Sequence, residues 1–133
     1  MRLLLIHSDF IEFEAKKKTG MAEEGQPLKG FTEEALTVFC AVEAADEDDI
    51  PGVVELAGEE ISKTADQLSV ENIVLYPYAH LSSDLARPDA AVGALKMLEH
   101  LLAEIGFSVT RAPFGWYKSF RISCKGHPLS ELS

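Results

Sequence analysis

The chain has 133 residues, 47% apolar and 26% charged, a composition that supports one self-sufficient core and excludes a disordered segment or a fibrous repeat. Its apolar runs are only a few residues long, which excludes a bilayer-spanning helix, and the Met1–Asp9 opening is too short and too soon charged for a secretory leader. A net charge of −10 speaks against a surface built mainly for phosphate contacts. The expectation is a single domain over residues 1–133, cytoplasmic, with Cys40 and Cys124 as reduced thiols inside strand-like segments.

Leu3–Ile6 is a continuous apolar run, and Ile11 and Phe13 then alternate with Glu12 and Glu14, so the two stretches read as one long strand. Lys16–Gly30, with Gly20, Gly25, Pro27 and many charges, reads as a mobile loop. Leu36–Val42 reads as a second strand, followed by an acidic turn from Asp46 to Pro51-Gly52. Val53, Leu56, Ala57, Ile61, Ala65 and Leu68 recur at helical spacing. Ile73–Tyr76 is a short buried strand stopped by Pro77. Pro88 opens a second helix with the stripe Ala91, Ala94, Leu95, Leu98, Leu101, Leu102 and Ile105, capped by Gly106. Phe107–Ala112 and Tyr117–Ser123 are strands on either side of a Pro113-Phe114-Gly115 turn. Two helices cannot cover both faces of five strands. The expected fold is therefore α+β, with five or more strands in a mixed or antiparallel sheet, both helices on one face, and a second copy covering the other as a homodimer.

Charge is unevenly spread. Glu43 to Glu60 holds eight acids and no base, whereas Arg111 to Pro128 holds Arg111, Lys118, Arg121 and Lys125 and no acid, which predicts one local basic surface. Polar groups gather beside strand breaks in three segments: Tyr76–Asp84, Ala112–Lys118 and Cys124–Glu131. Ser82, Ser83, His80 and His127 suggest nucleophilic catalysis, but no Gly-x-Ser-x-Gly elbow is present, and a serine capping a turn is the blander role. Cys124-x-x-His127 has ligand-like spacing, which Cys40 or His80 could complete, yet no second paired set exists, so no metal is expected. Gly115 and Gly126 are isolated, so no nucleotide cofactor is expected. There remain Lys118 beside Tyr117, with His80, His127 and Glu131. His7, ending a strand run, suits a hydrogen-bonded structural role, and His100 falls on the polar side of its helix.

The same segments carry a resemblance. Leu4–Phe13, Tyr76–Ser83, Ala112–Phe120 and Ile122–Ser133 resemble the N-terminal editing domain of archaeal threonyl-tRNA synthetases, a family similar in fold to the D-aminoacyl-tRNA deacylases. Trp116 stands where that family often has tyrosine. The resemblance implies a homodimer that hydrolyses serine from mischarged tRNA(Thr) while sparing threonyl-tRNA, acting in cis or in trans with the catalytic part of a threonyl-tRNA synthetase, without cofactor or metal. Its partner is then the tRNA(Thr) 3′ end carrying serine. It further implies that Lys118 orients or polarises the attacking water or steadies the oxyanion. Tyr117, His80 and Glu131 then complete the catalytic set, and Pro77, Ala79, Phe114, Gly115, Val42 and His127 hold the substrate. Arg111, Arg121 and Lys125 are left as the tRNA-facing bases. Two other readings fit the same residues: a D-aminoacyl-tRNA deacylase, and a non-catalytic tRNA-docking or dimerisation module.

Overall fold

A computed structural model describes residues 1–133. In chain order it contains β1 (Arg2–Lys18), β2 (Lys29–Ala41), α1 (Ile50–Leu68), β3 (Asn72–Pro77), α2 (Pro88–Ile105), β4 (Ser108–Arg111), β5 (Trp116–Cys124) and β6 (Glu131–Leu132). The sheet order is β4-β3-β2-β1-β5, with β6 also pairing β1. β1 and β2 form an antiparallel hairpin. β2, β3 and β4 run parallel, and α1 and α2 are the crossovers that parallel neighbours require. The result is a six-stranded mixed sheet in an α+β fold.

Both helices lie on one face. Val54, Ala57 and Ile61 of α1 and Leu95, Leu98 and Leu102 of α2 pack on Leu36, Val38 and Cys40 of β2 and Ile73 and Leu75 of β3. Each fully buried Leu or Ile here contributes on the order of 1.5–3 kcal/mol of transfer free energy. Pro51 sits in the first turn of α1 and Pro88 opens α2, where a missing N–H costs nothing. Asp49 caps α1 by accepting from the Gly52 N–H at 3.2 Å.

The opposite face is not left bare. Ile11, Phe13, Phe39, Val74 and Tyr76 form a second buried cluster there. Leu5 faces the helices, but Ile11 and Phe13, of the same parity, face the other core. The phase changes around Asp9 and Glu34, where Glu34 takes φ 48° and the β1–β5 register slips between Ser8 and Phe10. β5 thus curls over this face and sets the Phe120 ring 5.4 Å from both Phe39 and Tyr76. Much of the apolar surface expected to need a second copy is closed within one chain.

Three other expectations are revised. β1 and β2 extend to Lys18 and from Lys29, because their charged outer ends still make ladder hydrogen bonds; only residues 19–28 form the loop. That loop is not loose: the Thr19 N–H donates to Gly115 O (3.2 Å) and the Glu23 N–H to Phe114 O (2.8 Å). The two-residue β6 gave no periodic signal. No helix is long and apolar enough to cross a membrane.

Candidate active site

A cavity of about 370 Å³ opens beyond the carboxyl ends of the parallel strands, where Ala41–Val42 leaves β2, Pro77–His80 leaves β3 and the Phe114–Lys118 turn follows β4. This is where side chains and free backbone groups converge in parallel sheets. Of the residues implied by the resemblance, Lys118, His80, Tyr117, Pro77, Ala79, Phe114, Gly115 and Val42 all line it. Cys40, offered by the sequence only as a metal-ligand candidate, and Tyr76 and Tyr78, which fall in the first candidate segment without a role of their own, line it too. Sequence reasoning missed Thr19 and Met21: they arrive on the loop, with no local signal.

Gly115, at φ +78°, makes the turn possible, and a Cβ there would lie 2.4 Å from Met21 O. Strand alternation after this turn leaves Tyr117 65% exposed at the rim and directs Lys118 inward. Lys118 Nζ donates to Pro113 O at 2.9 Å and Trp116 O at 3.1 Å, and it sits 5.1 Å from the centre of the Tyr76 ring. No carboxylate pairs with it, so burial pushes its pKa down from the ordinary 10.5 to about 8. An ammonium has three donors, and two are engaged by carbonyls. The third is free for a ligand.

The walls carry no competing anion. Burial raises the Cys40 thiol to about 12, and its Sγ donates to Tyr76 O, so it is a packed thiol rather than a nucleophile. Burial, followed by the neighbouring Tyr78, raises the Tyr76 phenol to about 12. His80 is exposed at the mouth with its ring 5.1 Å from that of Tyr78. Ser82 has the turn-making role: its hydroxyl donates to Glu43 (2.7 Å) and accepts from the Asp84 N–H (3.2 Å).

Glu131 and His127 do not line this cavity. Glu131 pairs with Ile6 in β6, and its carboxylate accepts from Cys124 Sγ at 3.7 Å. The Leu129 N–H donates to His127 Nδ1 at 3.1 Å, so the ring proton is on Nε2, which donates to His7 Nδ1 at 2.7 Å. The two imidazoles are thus a neutral pair that fastens the tail to β1. Burial, then His127, lowers the His7 pKa. His7 has its structural role, and His100 lies exposed beside Glu104.

The basic surface dissolves into ion pairs. Arg111 is 2% exposed, with Nη1 2.5 Å from Glu23 and Nε 2.9 Å from Glu99, and cannot face tRNA. Lys125 lies 2.8 Å from both Asp9 and Glu34. Arg121 is exposed but leans over Phe10 with Glu12 at 3.6 Å. A run of bases in sequence did not reveal acids brought in by other strands.

The family model described as "Archaea-specific editing domain of threonyl-tRNA synthetase" matches residues 1–133. Threonine–tRNA ligase of Methanoregula boonei is 69% identical over 133 residues, which is all of this chain and 22% of that protein. The enzyme of the same name from Methanocaldococcus jannaschii is 62% identical with the same coverage. The chain therefore spans about a fifth of the length of these relatives. Among solved structures, the c-Myc DNA Unwinding Element Binding Protein superposes with a TM-score of 0.68 at 12% identity, over 100% of this chain and 98% of that one, a likeness of fold.

Proposed function

Taking as premise that this chain belongs to the archaea-specific editing domain family of threonyl-tRNA synthetase, we propose that it hydrolyses the ester of serine wrongly attached to tRNA(Thr) and leaves threonyl-tRNA intact. The observation that carries this reading is Lys118, a half-buried ammonium aimed into the cavity with one donor unspent.

In the reaction, water adds to the ester carbonyl, the carbonyl oxygen becomes an oxyanion, and the carbon–oxygen bond to the terminal ribose then breaks as the proton given up by the water passes to the departing ribose oxygen. Lys118 stabilises that oxyanion or orients the water through its third N–H. One preorganised donor of this kind is worth about 2.7–4 kcal/mol in the transition state. Tyr117 and His80 at the rim hold the amino acid and the ribose, and backbone groups of Pro77, Ala79, Phe114 and Gly115 bind its main-chain part. Val42 forms part of the wall against which the amino acid packs. An aminoacyl ester is already activated, so positioning and electrostatics suffice without a strong base. Glu131 and His127 stand too far along β1 to take part within one chain.

A synthetic site shaped for threonine rejects serine by only about 1–3 kcal/mol, since the difference is one methyl group, and a second site that excludes the larger residue supplies the remainder. With Arg111 and Lys125 paired to acids, the tRNA body is gripped by the rest of the synthetase, in cis or in trans, and this domain receives the 3′ end. Turnover under excess substrate tests the proposal. Seryl-tRNA(Thr) is expected to be cleaved at least about tenfold faster than threonyl-tRNA(Thr). Equal rates discard serine selectivity, faster cleavage of D-aminoacyl-tRNA replaces the substrate, and no turnover of any of them leaves a docking module.

A further inference from the structure

Glu23 lies outside the cavity, on the connection between β1 and β2, and the reaction above makes no use of it. Its side chain is nevertheless only 6% exposed. Its Oε1 accepts from the Phe114 N–H (3.3 Å) and from Arg111 Nη1 (2.5 Å). Its own N–H donates to Phe114 O (2.8 Å), and its carbonyl accepts from Trp116 Nε1 (3.0 Å). Thr19 adds two bonds to Gly115 O, from its N–H (3.2 Å) and its hydroxyl (2.5 Å). Two loop residues thus hold Phe114, Gly115 and Trp116 in succession.

The carbonyls that bracket this segment, Pro113 O and Trp116 O, are the two that receive Lys118 Nζ. Arg111 extends the same anchor to α2 through Glu99. Glu23 Oε2 is buried without a hydrogen-bond partner. An orphaned buried oxygen costs about 1–3 kcal/mol, a penalty borne here while the other carboxylate oxygen holds both Arg111 and the Phe114 N–H.

We propose that Glu23 is a positioning residue: by clamping Phe114 to Trp116 it fixes the pair of carbonyls that aim the Lys118 ammonium into the cavity. The kinetic consequence rests on the role given to Lys118 above; the structural consequence does not. A displacement of about 1 Å in a reacting group can cost on the order of a hundredfold in rate.

The test follows Lys118 directly, by its 15N-ζ titration in the wild-type chain and in Glu23→Ala, Glu23→Gln and Thr19→Val, beside single-turnover cleavage of seryl-tRNA(Thr). In Glu23→Ala the Lys118 midpoint is expected to rise from about 8 toward the ordinary 10.5. Its maximal rate should fall roughly 10- to 100-fold with half-saturation changed only a few-fold. Glu23→Gln, which keeps an acceptor for the Phe114 N–H, should recover most of both. A folded Glu23→Ala protein with an unmoved midpoint and a rate within twofold of wild type overturns the proposal, as does a Gln variant no better than the Ala variant. If Glu23→Ala does not fold, Thr19→Val, which removes the hydroxyl's bond to Gly115 O and its acceptance from the Met21 N–H while leaving the Thr19 N–H on Gly115 O, must move the midpoint in the same direction by a smaller amount; no movement is likewise fatal. Should the wild-type chain cleave nothing, the reaction is refuted, while the midpoints still decide the positioning role.

Discussion

Arg111 and Lys118 are two cations on either side of one turn, and the fold treats them in opposite ways. Burial acts against the charge of Arg111, but the hydrogen bonds it donates to Glu23 and Glu99 outweigh it and raise its pKa. Lys118 is buried among neutral carbonyls and an aromatic ring, and its pKa falls to about 8. A buried cation matched by anions belongs to the framework; one matched only by carbonyl dipoles keeps its field available to a ligand.

Three measurements can break or sharpen that contrast. The largest effect is expected from Arg111→Ala, which strands two carboxylates and should lower unfolding free energy by about 3–5 kcal/mol in urea titrations. A loss under about 1 kcal/mol would mean that the ion pairs are not framework. Lys118→Ala should do the reverse: stability is retained, while single-turnover deacylation falls about 10²- to 10³-fold with tRNA affinity within a few-fold. Because the cation is the donor, the wild-type advantage over Lys118→Ala should fade as pH rises through about 8. An advantage that grows with pH would make the neutral amine a base instead. On stability the sign is separate. The unfolded lysine titrates near 10.5 and holds its proton longer than the folded one, so the contribution of Lys118 to stability increases with pH between about 8 and 10.5.

The smallest effect should come from the neutral case, the His7–His127 pair. The folded His7 pKa lies below 6.5, so the unfolded chain takes up the proton first, and stability should fall as pH drops below 6.5 toward the folded value. His127→Ala should remove part of that dependence and about 1 kcal/mol of stability, and amide exchange should speed up from Ser130 to Leu132.

The sequence disclosed those parts of the molecule whose cause is local. The stripes of α1 and α2, the proline that ends β3 and the Pro113–Gly115 turn each carry their own signal within a few residues, and the elements stand where those signals put them. The inward aim of Lys118 follows from alternation once Gly115 closes the turn. Arg111 was misread because its partners, Glu23 and Glu99, reach it from a loop and a helix that no spacing rule connects to it. The same applies to Lys125 and Glu34, and to Glu131, which pairs with Ile6 from the other end of the chain. The curl that closes the second core arises at Asp9 and Glu34, where two acidic residues carry no pattern of their own.

The pairing of Ala15 with Lys118 has a consequence for biosynthesis. The β1–β2 hairpin closes over a short connection, and both βαβ units are complete before β5 has been translated. Closing the chain from β5 back onto β1, like the pairing of β6 that follows it, is a long-range step and slow to be rewarded. A nascent chain that has released β4 from the ribosome but not β5 already owns the Ala41–Val42 and Pro77–His80 walls of the cavity and still lacks Lys118, so the cavity acquires its cation only when β5 emerges.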